Sequence, residues 1–177
     1  HAFDKGFLAD TNSLIEEFRN ANESLANRIP ELPFSNIWIA SQLSKRIPDN
    51  SVVHLGILNS LRAWNFFETK ETVRTYSNVG GFGIDGIMST LIGASLCNKD
   101  KLYFAFLGDL AFFYDINSLG NRHVGNNVRI MVINNGRGVE FHTYKHSASK
   151  YGQDTDKYIA AYGHYGRQLP SLVKRIS

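Results

Sequence analysis

The chain contains the stretch Leu102-Tyr-Phe-Ala-Phe-Leu-Gly-Asp109, an apolar run that ends in a glycine and a carboxylate. A second run of the same kind, Val128-Arg-Ile-Met-Val-Ile133, is followed by Asn134 and Asn135. Both runs are rich in branched and aromatic residues, which favours buried strands. We expect both strands in one parallel sheet. Asp109 and Asn135 would then lie at its carboxyl edge, where such sheets bind ligands.

The elements around these two runs alternate between strands and helices. The pattern predicts, in order, a strand at 51–58, a short helix ending at residue 64, a strand at 73–77, a glycine-rich loop at 80–86, a helix to residue 96 and a helix at 111–119. Such alternation indicates parallel βαβ units. We therefore expect an α/β fold with a doubly wound, mainly parallel sheet flanked by helices, in which residues 1–177 form one domain.

The two ends of the chain carry weaker helical signals. Ser13 and Glu16 form a capping box at the start of an apolar periodic segment, which predicts a helix over 11–29. Further helices are predicted at 36–45, 156–162 and 169–176, with a long loop at 134–153. A loop of that length in a compact domain usually serves a site or a partner.

Composition excludes several classes of protein. The 177 residues carry 19 Lys and Arg against 16 Asp and Glu, a net charge of +3 without a basic stripe, so we expect no nucleic-acid partner. No apolar run approaches the roughly 18 residues of a membrane span, and no leader pattern opens the chain, so we expect a cytoplasmic protein. A chain that starts at His1 rather than Met suggests a fragment of a longer multidomain enzyme. Cys97 is predicted to be a small buried side chain.

The pair Asp109 and Asn135 has a chemical meaning beyond its position. Carboxylate and carboxamide oxygens are hard donors that suit Mg²⁺ or Ca²⁺, and Mg²⁺ usually completes its octahedron through substrate phosphates. The pair therefore suggests a metal ion that holds a diphosphate. Alone, Asp109 could be a helix N-cap and Asn135 part of a turn. Their conjunction with the glycine-rich loop, at strand ends of one sheet, favours a site.

A rival hypothesis uses the glycines. Gly81-x-Gly83-x-x-Gly86 matches the dinucleotide fingerprint, and Asp109 falls near the offset of a ribose-binding acid. That hypothesis predicts an NAD- or FAD-binding dehydrogenase domain without a divalent ion. Asp85 would then lie close to a pyrophosphate, and Asn135 would have no role. A third possibility is a non-catalytic interaction module that keeps only the fold.

Three segments resemble the diphosphate-binding domain of thiamin-diphosphate-dependent enzymes: residues 76–90, 107–119 and 132–141. Gly-Asp followed some 25 residues later by Asn-Asn is the signature of that superfamily. Within it, the chain is most similar to the carboligases of menaquinone synthesis, and it is also acetolactate-synthase-like. The resemblance covers about residues 50 to 165.

The resemblance implies ligands for thiamin diphosphate and its metal. Asp109, the side chain of Asn135 and the backbone carbonyl of Arg137 would bind Mg²⁺. Ile84 would be the apolar residue under the thiazolium ring, and the diphosphate would lie on the amides that follow Asp109, at a helix N-terminus. The implied cofactor-binding residues are Gly83, Ile84, Asp85, Gly108, Asp109, Leu110, Ala111 and Asn135.

The resemblance also implies an activity, decarboxylation or carboligation of a 2-oxo acid. No catalytic residue is expected in this chain, because the activating Glu belongs to a pyrimidine-binding domain supplied in cis or in trans. The chain alone would be inactive, and the full-length protein would be a homo-oligomer. Val79 and Trp64 stand where the menaquinone carboligases have Arg residues for carboxylate substrates, with Arg62 two residues earlier. His142 and His146 follow Asn135 closely enough to line the cleft.

Overall fold

The fold is built on a sheet of four parallel strands in the computed structural model, which describes residues 5–81, 83–143 and 145–163. The strands are β1 (Val52–Leu55), β2 (Arg74–Ser77), β3 (Tyr103–Gly108) and β4 (Val128–Ile133), in the order β2-β1-β3-β4. All three pairings are parallel. The chain winds outward from β1 to β2 and then, on the other side, from β3 to β4. The predicted doubly wound α/β fold is confirmed.

Six α-helices accompany the sheet in the described part of the chain. They are α1 (Lys5–Asn27), α2 (Asn36–Leu43), α3 (Asn59–Trp64), α4 (Ile87–Cys97), α5 (Asp109–Tyr114) and α6 (Gln153–Tyr158). Three 3-10 helices cover Ile116–Gly120, Val139–His142 and Ser147–Tyr151. The connections β1-α3-β2 and β2-α4-β3 are the predicted βαβ units.

The two faces of the sheet bury two separate cores, because successive strand side chains point to opposite faces. On β3, Tyr103, Ala105 and Leu107 pack with α4 and α5 in one buried cluster. Phe106, on the other face, packs in a second cluster with residues of α2, α3 and β1. The sheet is thus the middle of three layers, and its carboxyl edge lies between the two helical layers.

The helix boundaries differ from the predictions in physically informative ways. The first helix begins at Lys5, so Ser13 and Glu16 lie within it and the capping-box prediction is wrong. The helix expected at 111–119 is divided into α5 and a 3-10 helix, and the loop at 134–153 holds two 3-10 helices. The helix predicted at 169–176 lies outside the described residues. Cys97 is exposed at the end of α4, so its predicted burial is also wrong.

Two surfaces expose groups that are usually covered. Side chains from residue 12 to residue 27 of α1 are exposed, including Leu14, Phe18 and Leu25. β4 pairs with β3 on one side and, within the described residues, with no strand on the other. Over that same part of the chain, none of the helices has the length and hydropathy required to span a bilayer.

The packing of α4 predicts how two leucines on one helix differ. Leu91 is fully buried against the sheet, whereas Leu96 is 41% exposed. Leu91→Ala is expected to lower the free energy of unfolding by about 2–5 kcal/mol, because it leaves a cavity that the surrounding core fills only in part. Leu96→Ala makes the same change on the same helix, and its effect should stay within about 1 kcal/mol. Urea denaturation of both variants measures the difference, and equal losses would contradict this packing.

Candidate functional site

The carboxyl ends of the four strands meet at one edge of the sheet, and the polar residues singled out from the sequence lie there. Asp109 follows β3 and Asn135 follows β4, and these two strands are neighbours. The glycine-rich loop follows β2, with β1 between β2 and β3. The site is therefore built from adjacent strand ends on one side and from a loop that reaches it across β1 on the other.

Asp109 joins the two neighbouring strand ends. It is the first residue of α5 and only 2% exposed. Its Oδ2 accepts a hydrogen bond of 2.7 Å from the amide of Gly136, and its Oδ1 accepts one of 3.0 Å from the amide of Leu110. The N-cap of α5 is Gly108, so Asp109 is not the cap of a later helix. The carboxylate instead ties the loop after β4 to the start of α5.

Asn135 is brought next to this carboxylate because its neighbour Gly136 is bound to it. Gly136 has a φ of +76°, a left-handed conformation that suits glycine, and it turns the chain after β4. The Asn135 side chain is exposed, and its Oδ1 lies 3.5 Å from the amide of Arg137. Asp109 and Asn135 thus bring a carboxylate and an amide oxygen to one strand edge, and Mg²⁺ takes oxygen ligands of these kinds in proteins.

The donor set also indicates how such an ion would be completed. Within the described residues, no group of three or more His, Cys, Asp and Glu side chains could hold a metal by itself. A site with a single carboxylate suits Mg²⁺, which commonly keeps one or two protein carboxylates and takes its other oxygens from water and phosphate. Such a donor set would leave positions around a bound ion for water or for a phosphorylated ligand.

The glycine-rich loop is held by side chains from several elements. His54 of β1 bonds through Nε2 to Asn78 Oδ1 at 2.7 Å, and Asn78 Nδ2 donates to the carbonyl of Gly86 at 3.1 Å. Gly86 has a φ of +73° and caps α4. Asp115 Oδ2 accepts from the amide of Ser89, in the first turn of α4, at 2.6 Å. These bonds fix the loop relative to both β1 and the end of α5.

The predicted loop residues take distinct positions. Ile84 is half-buried and packs against the core cluster that contains Leu107 and Ala111. Asp85 is exposed, and its Oδ1 lies where a Cβ on Gly83 would stand. Ile84 therefore presents a supported apolar surface beside α5, while Asp85 faces solvent at the mouth of the loop.

The strand order weighs against the dinucleotide hypothesis. In a dinucleotide fold the glycine loop and the ribose-binding acid follow adjacent strands. Here β1 separates β2 from β3, so the strand preceding Asp109 lies two spacings, roughly 10 Å, from the strand that precedes Gly81 and Gly83. That arrangement also leaves Asn135 without a role, whereas a metal site uses it.

A third group of contacts holds the loop that follows Asn135. Arg137 Nη1 donates to Asp156 Oδ2 at 2.7 Å, and His142 Nε2 lies 2.6 Å from Asp156 Oδ1. Arg62 of α3 pairs with Glu140 at 2.5 Å, so an ion pair links the element after β1 to the loop after β4. His142 is thus engaged by a carboxylate. His146 accepts from the amide of Ala148 at 3.1 Å and is the N-cap of the 3-10 helix Ser147–Tyr151.

The positions that distinguish the chain from the menaquinone carboligases have different surroundings. Trp64 is 3% exposed and packs on Phe106, with ring centroids 4.4 Å apart, so it belongs to the core. Val79 is 51% exposed at the end of β2. Leu58, just before α3, has a φ of +66°, a conformation that is costly for a residue with a Cβ. Neither Trp64 nor Val79 offers a cation to a carboxylate.

Sequence reasoning missed Asn78, Asp115 and Asp156. Each forms a hydrogen bond with a residue distant in sequence, as Asp115 does with Ser89. Local residue spacing does not predict such a contact. For Asp156, the acidic first turn of α6 resembles an ordinary exposed helix start. His54 lies within a strand of the predicted sheet, where a packed side chain is expected, and it is only 5% exposed.

Comparison with known proteins finds several relatives that carry the same name. No family model matches the chain. It is 41% identical over 114 residues to 2-succinyl-5-enolpyruvyl-6-hydroxy-3-cyclohexene-1-carboxylate synthase of Bacteroides fragilis, which covers 64% of the chain and 20% of that protein. Synthases of the same name from Christiangramia forsetii and Bacteroides thetaiotaomicron are 35% and 36% identical, each over 73% of the chain and over 22% and 23% of the relative. The chain spans about a fifth of the length of these relatives. The resemblance recognised in the sequence is confirmed.

Burial of His54 predicts a pH dependence of stability. Burial lowers the pKa of His54 from its ordinary value of 6.5, and the hydrogen bond to Asn78 opposes this only in part. The unfolded chain therefore takes up a proton near pH 6.5 while the folded chain does not. The stability that His54 contributes is complete above that pH and is lost as the pH falls toward the lowered value, by at most about 1.4 kcal/mol per pH unit.

Thermal and urea unfolding between about pH 8 and pH 5.5 would measure this effect. His54→Gln keeps a side-chain donor for Asn78 and removes the titration, so its unfolding free energy should fall less steeply with acidification than that of the wild type. His123→Gln, at an exposed position, should leave the wild-type slope unchanged. Parallel slopes for the wild type and His54→Gln would contradict the assignment.

Proposed function

We propose that this chain is the thiamin-diphosphate- and Mg²⁺-binding domain of an enzyme acting on a 2-oxo acid. The starting point is its similarity to the 2-succinyl-5-enolpyruvyl-6-hydroxy-3-cyclohexene-1-carboxylate synthases. The observation that carries the proposal is the 2.7 Å bond between Asp109 and the amide of Gly136. It brings the Gly-Asp pair after β3 and the Asn-Asn pair after β4 into one place.

The metal ion would be held by three protein oxygens. Asp109 provides the charged ligand, the Asn135 side chain provides an amide oxygen, and the Arg137 carbonyl provides a main-chain oxygen. The diphosphate would complete the ion and lie beside Gly108 and the amides of Ala111 and of Leu110, which also donates to Asp109 Oδ1. Burial of Asp109 supports this role, because a carboxylate removed from water interacts strongly with a cation.

The glycine-rich loop would contact the rings of the cofactor. Ile84 would lie under the thiazolium and hold the cofactor in a bent conformer, while Gly83 and Asp85 would border the aminopyrimidine. Packing of Ile84 against the core supports this role, since a surface that sets ring geometry must itself be fixed. Asn78 bonds to the carbonyl of Gly86 at the end of the loop, and Asp115 bonds to the amide of Ser89 in the helix that follows. Both bonds also help to fix the position of Ile84.

The cofactor supplies the carbanion equivalent for decarboxylation or carboligation, and the protein supplies binding, orientation and electrostatics. In this proposal residues 1–177 are one diphosphate-binding domain of a longer polypeptide, and none of them transfers the activating proton. A Glu of a pyrimidine-binding domain, in cis or in trans, does so. The chain alone is then inactive, and the full-length protein is a homo-oligomer, with no membrane or nucleic-acid partner, that works in the cytoplasm.

The substrate contacts would differ from those of the menaquinone carboligases. Val79 and Trp64 carry no charge, and the nearby Arg62 is already paired with Glu140. We infer that carboxylate groups of the substrate are held by other residues, including those of the pyrimidine-binding domain. We therefore propose a 2-oxo acid as the substrate class, and the proposal does not extend to the menaquinone reaction.

Calorimetric titration of the chain with thiamin diphosphate, with and without Mg²⁺, tests the proposal. Wild-type protein should bind the cofactor only with the metal, and Asp109→Asn should abolish that binding, because it removes the charged ligand while keeping the shape of the side chain. Asp100→Asn, the same change in an exposed turn, should bind as the wild type does.

The alternatives give different results in the same titration. Binding of NAD without a divalent ion would favour a dehydrogenase domain that uses Gly81, Gly83 and Gly86. Absence of binding by either cofactor, at millimolar concentration and with Mg²⁺ present, would favour an interaction module. Equal binding by the wild type and Asp109→Asn would remove Asp109 from the site.

A further inference from the structure

Asp156, on α6, is an acid whose two oxygens are both engaged by groups near the candidate metal site. Oδ2 lies 2.7 Å from the guanidinium of Arg137, and Oδ1 lies 2.6 Å from Nε2 of His142. The Asp156 side chain is 20% exposed and the Arg137 side chain 40%. The carboxylate is thus placed between two residues of the loop that follows Asn135.

The main chain after α6 binds the same loop on both sides of Arg137. The amide of Gly138 donates to the carbonyl of Ala160 at 2.7 Å, and the amide of Gly163 donates to the carbonyl of Gly136 at 3.2 Å. The Gly138 amide belongs to the same peptide group as the Arg137 carbonyl, and the Gly136 carbonyl belongs to the peptide group before it. Together with Asp156, they give the segment from α6 to residue 163 three attachments to three consecutive loop residues.

The segment is itself firmly seated. Thr155, next to Asp156, is fully buried, and its hydroxyl donates to the carbonyl of Ala148 in the 3-10 helix Ser147–Tyr151. The amide of Ala160 donates to the carbonyl of Thr155 at 2.7 Å, so the turn after α6 closes on this anchor. The position of Asp156 is therefore set by buried contacts and not by its partners alone.

Charge gives Asp156 a second role. Arg137 places a positive charge one residue from Gly136 and two from Asn135, where a divalent cation would bind. Asp156 compensates that charge through a direct ion pair. Without the carboxylate, the loop would present an unpaired guanidinium to an incoming cation, which opposes binding.

We infer that Asp156 is a positioning residue for the metal site: it fixes the Arg137 carbonyl and the Asn135 amide for the divalent cation and cancels the charge of the Arg137 side chain. This inference rests on the proposed function. Groups that orient metal ligands without touching the metal typically change metal affinity by roughly ten- to a hundredfold when they are removed.

Binding of Mn²⁺ in the presence of thiamin diphosphate, followed by electron paramagnetic resonance of the free ion, tests the inference. Asp156→Asn keeps the size of the side chain and is expected to weaken Mn²⁺ binding by about ten- to a hundredfold. Asp154→Asn makes the same change on an exposed residue of α6 and should bind Mn²⁺ as the wild type does. Hydrogen exchange at the amide of Gly138 should be faster in Asp156→Asn only.

The controls separate positioning from general stability and from failure of the proposed function. A lower melting temperature with unchanged Mn²⁺ affinity in Asp156→Asn would overturn the inference. If that variant does not fold, Asp156→Glu is measured in its place. Weakened Mn²⁺ binding by Asp156→Glu is expected, and unchanged Mn²⁺ binding would overturn the inference. If wild-type protein binds no Mn²⁺ with the cofactor, the proposed function fails and the inference with it. If the wild type and Asp156→Asn bind Mn²⁺ with equal affinity, the inference about Asp156 is wrong and the proposed function is unaffected.

Discussion

The hydrogen bond from Gly136 to the buried carboxylate of Asp109 is the interaction on which the candidate site depends. A carboxylate that is 2% exposed is costly unless hydrogen bonds or a cation compensate for its loss of water. Here amides of Leu110 and Gly136 do so in part. Because Gly136 follows β4 and Asp109 follows β3, the need to satisfy one buried acid sets where the loop after β4 lies against the start of α5. The carboxylate of Asp109 and the side-chain oxygen of Asn135 are therefore found together at the carboxyl edge of the sheet.

The glycine-rich loop is positioned by a different kind of constraint. Its strand, β2, lies at the margin of the sheet, and the loop reaches the site only because polar side chains hold it there. His54 reaches Asn78 from inside β1, and Asp115 reaches Ser89 from beyond α5. Ile84 adds an apolar contact to the same core that supports α5. The loop is therefore held by tertiary contacts more than by its own turn geometry.

Much of this arrangement could be predicted from the sequence, since local patterns determine it. The run that ends at Asp109 and the run that ends before Asn135 form strands within one residue of the expected bounds. Their carboxyl ends meet because parallel neighbours leave them no other arrangement. The strand order was not predictable, because nothing in the spacing places β1 between β2 and β3. The Asp156–Arg137 pair joins residues 19 apart across a loop, so local periodicity carries no trace of it. The capping-box prediction failed because Ser13 and Glu16 fit equally well inside a helix.

The outer side of β4 has a practical consequence for anyone who handles this chain by itself. Within the described residues this edge has no neighbouring strand. Such an edge is a template on which another strand can add, and natural proteins usually blunt it with charge or cover it. β4 carries one charged side chain, Arg129, among apolar residues that include the 39%-exposed Met131. Self-association through this edge should therefore rise with protein concentration. Dilute samples suit the isolated chain better than concentrated ones.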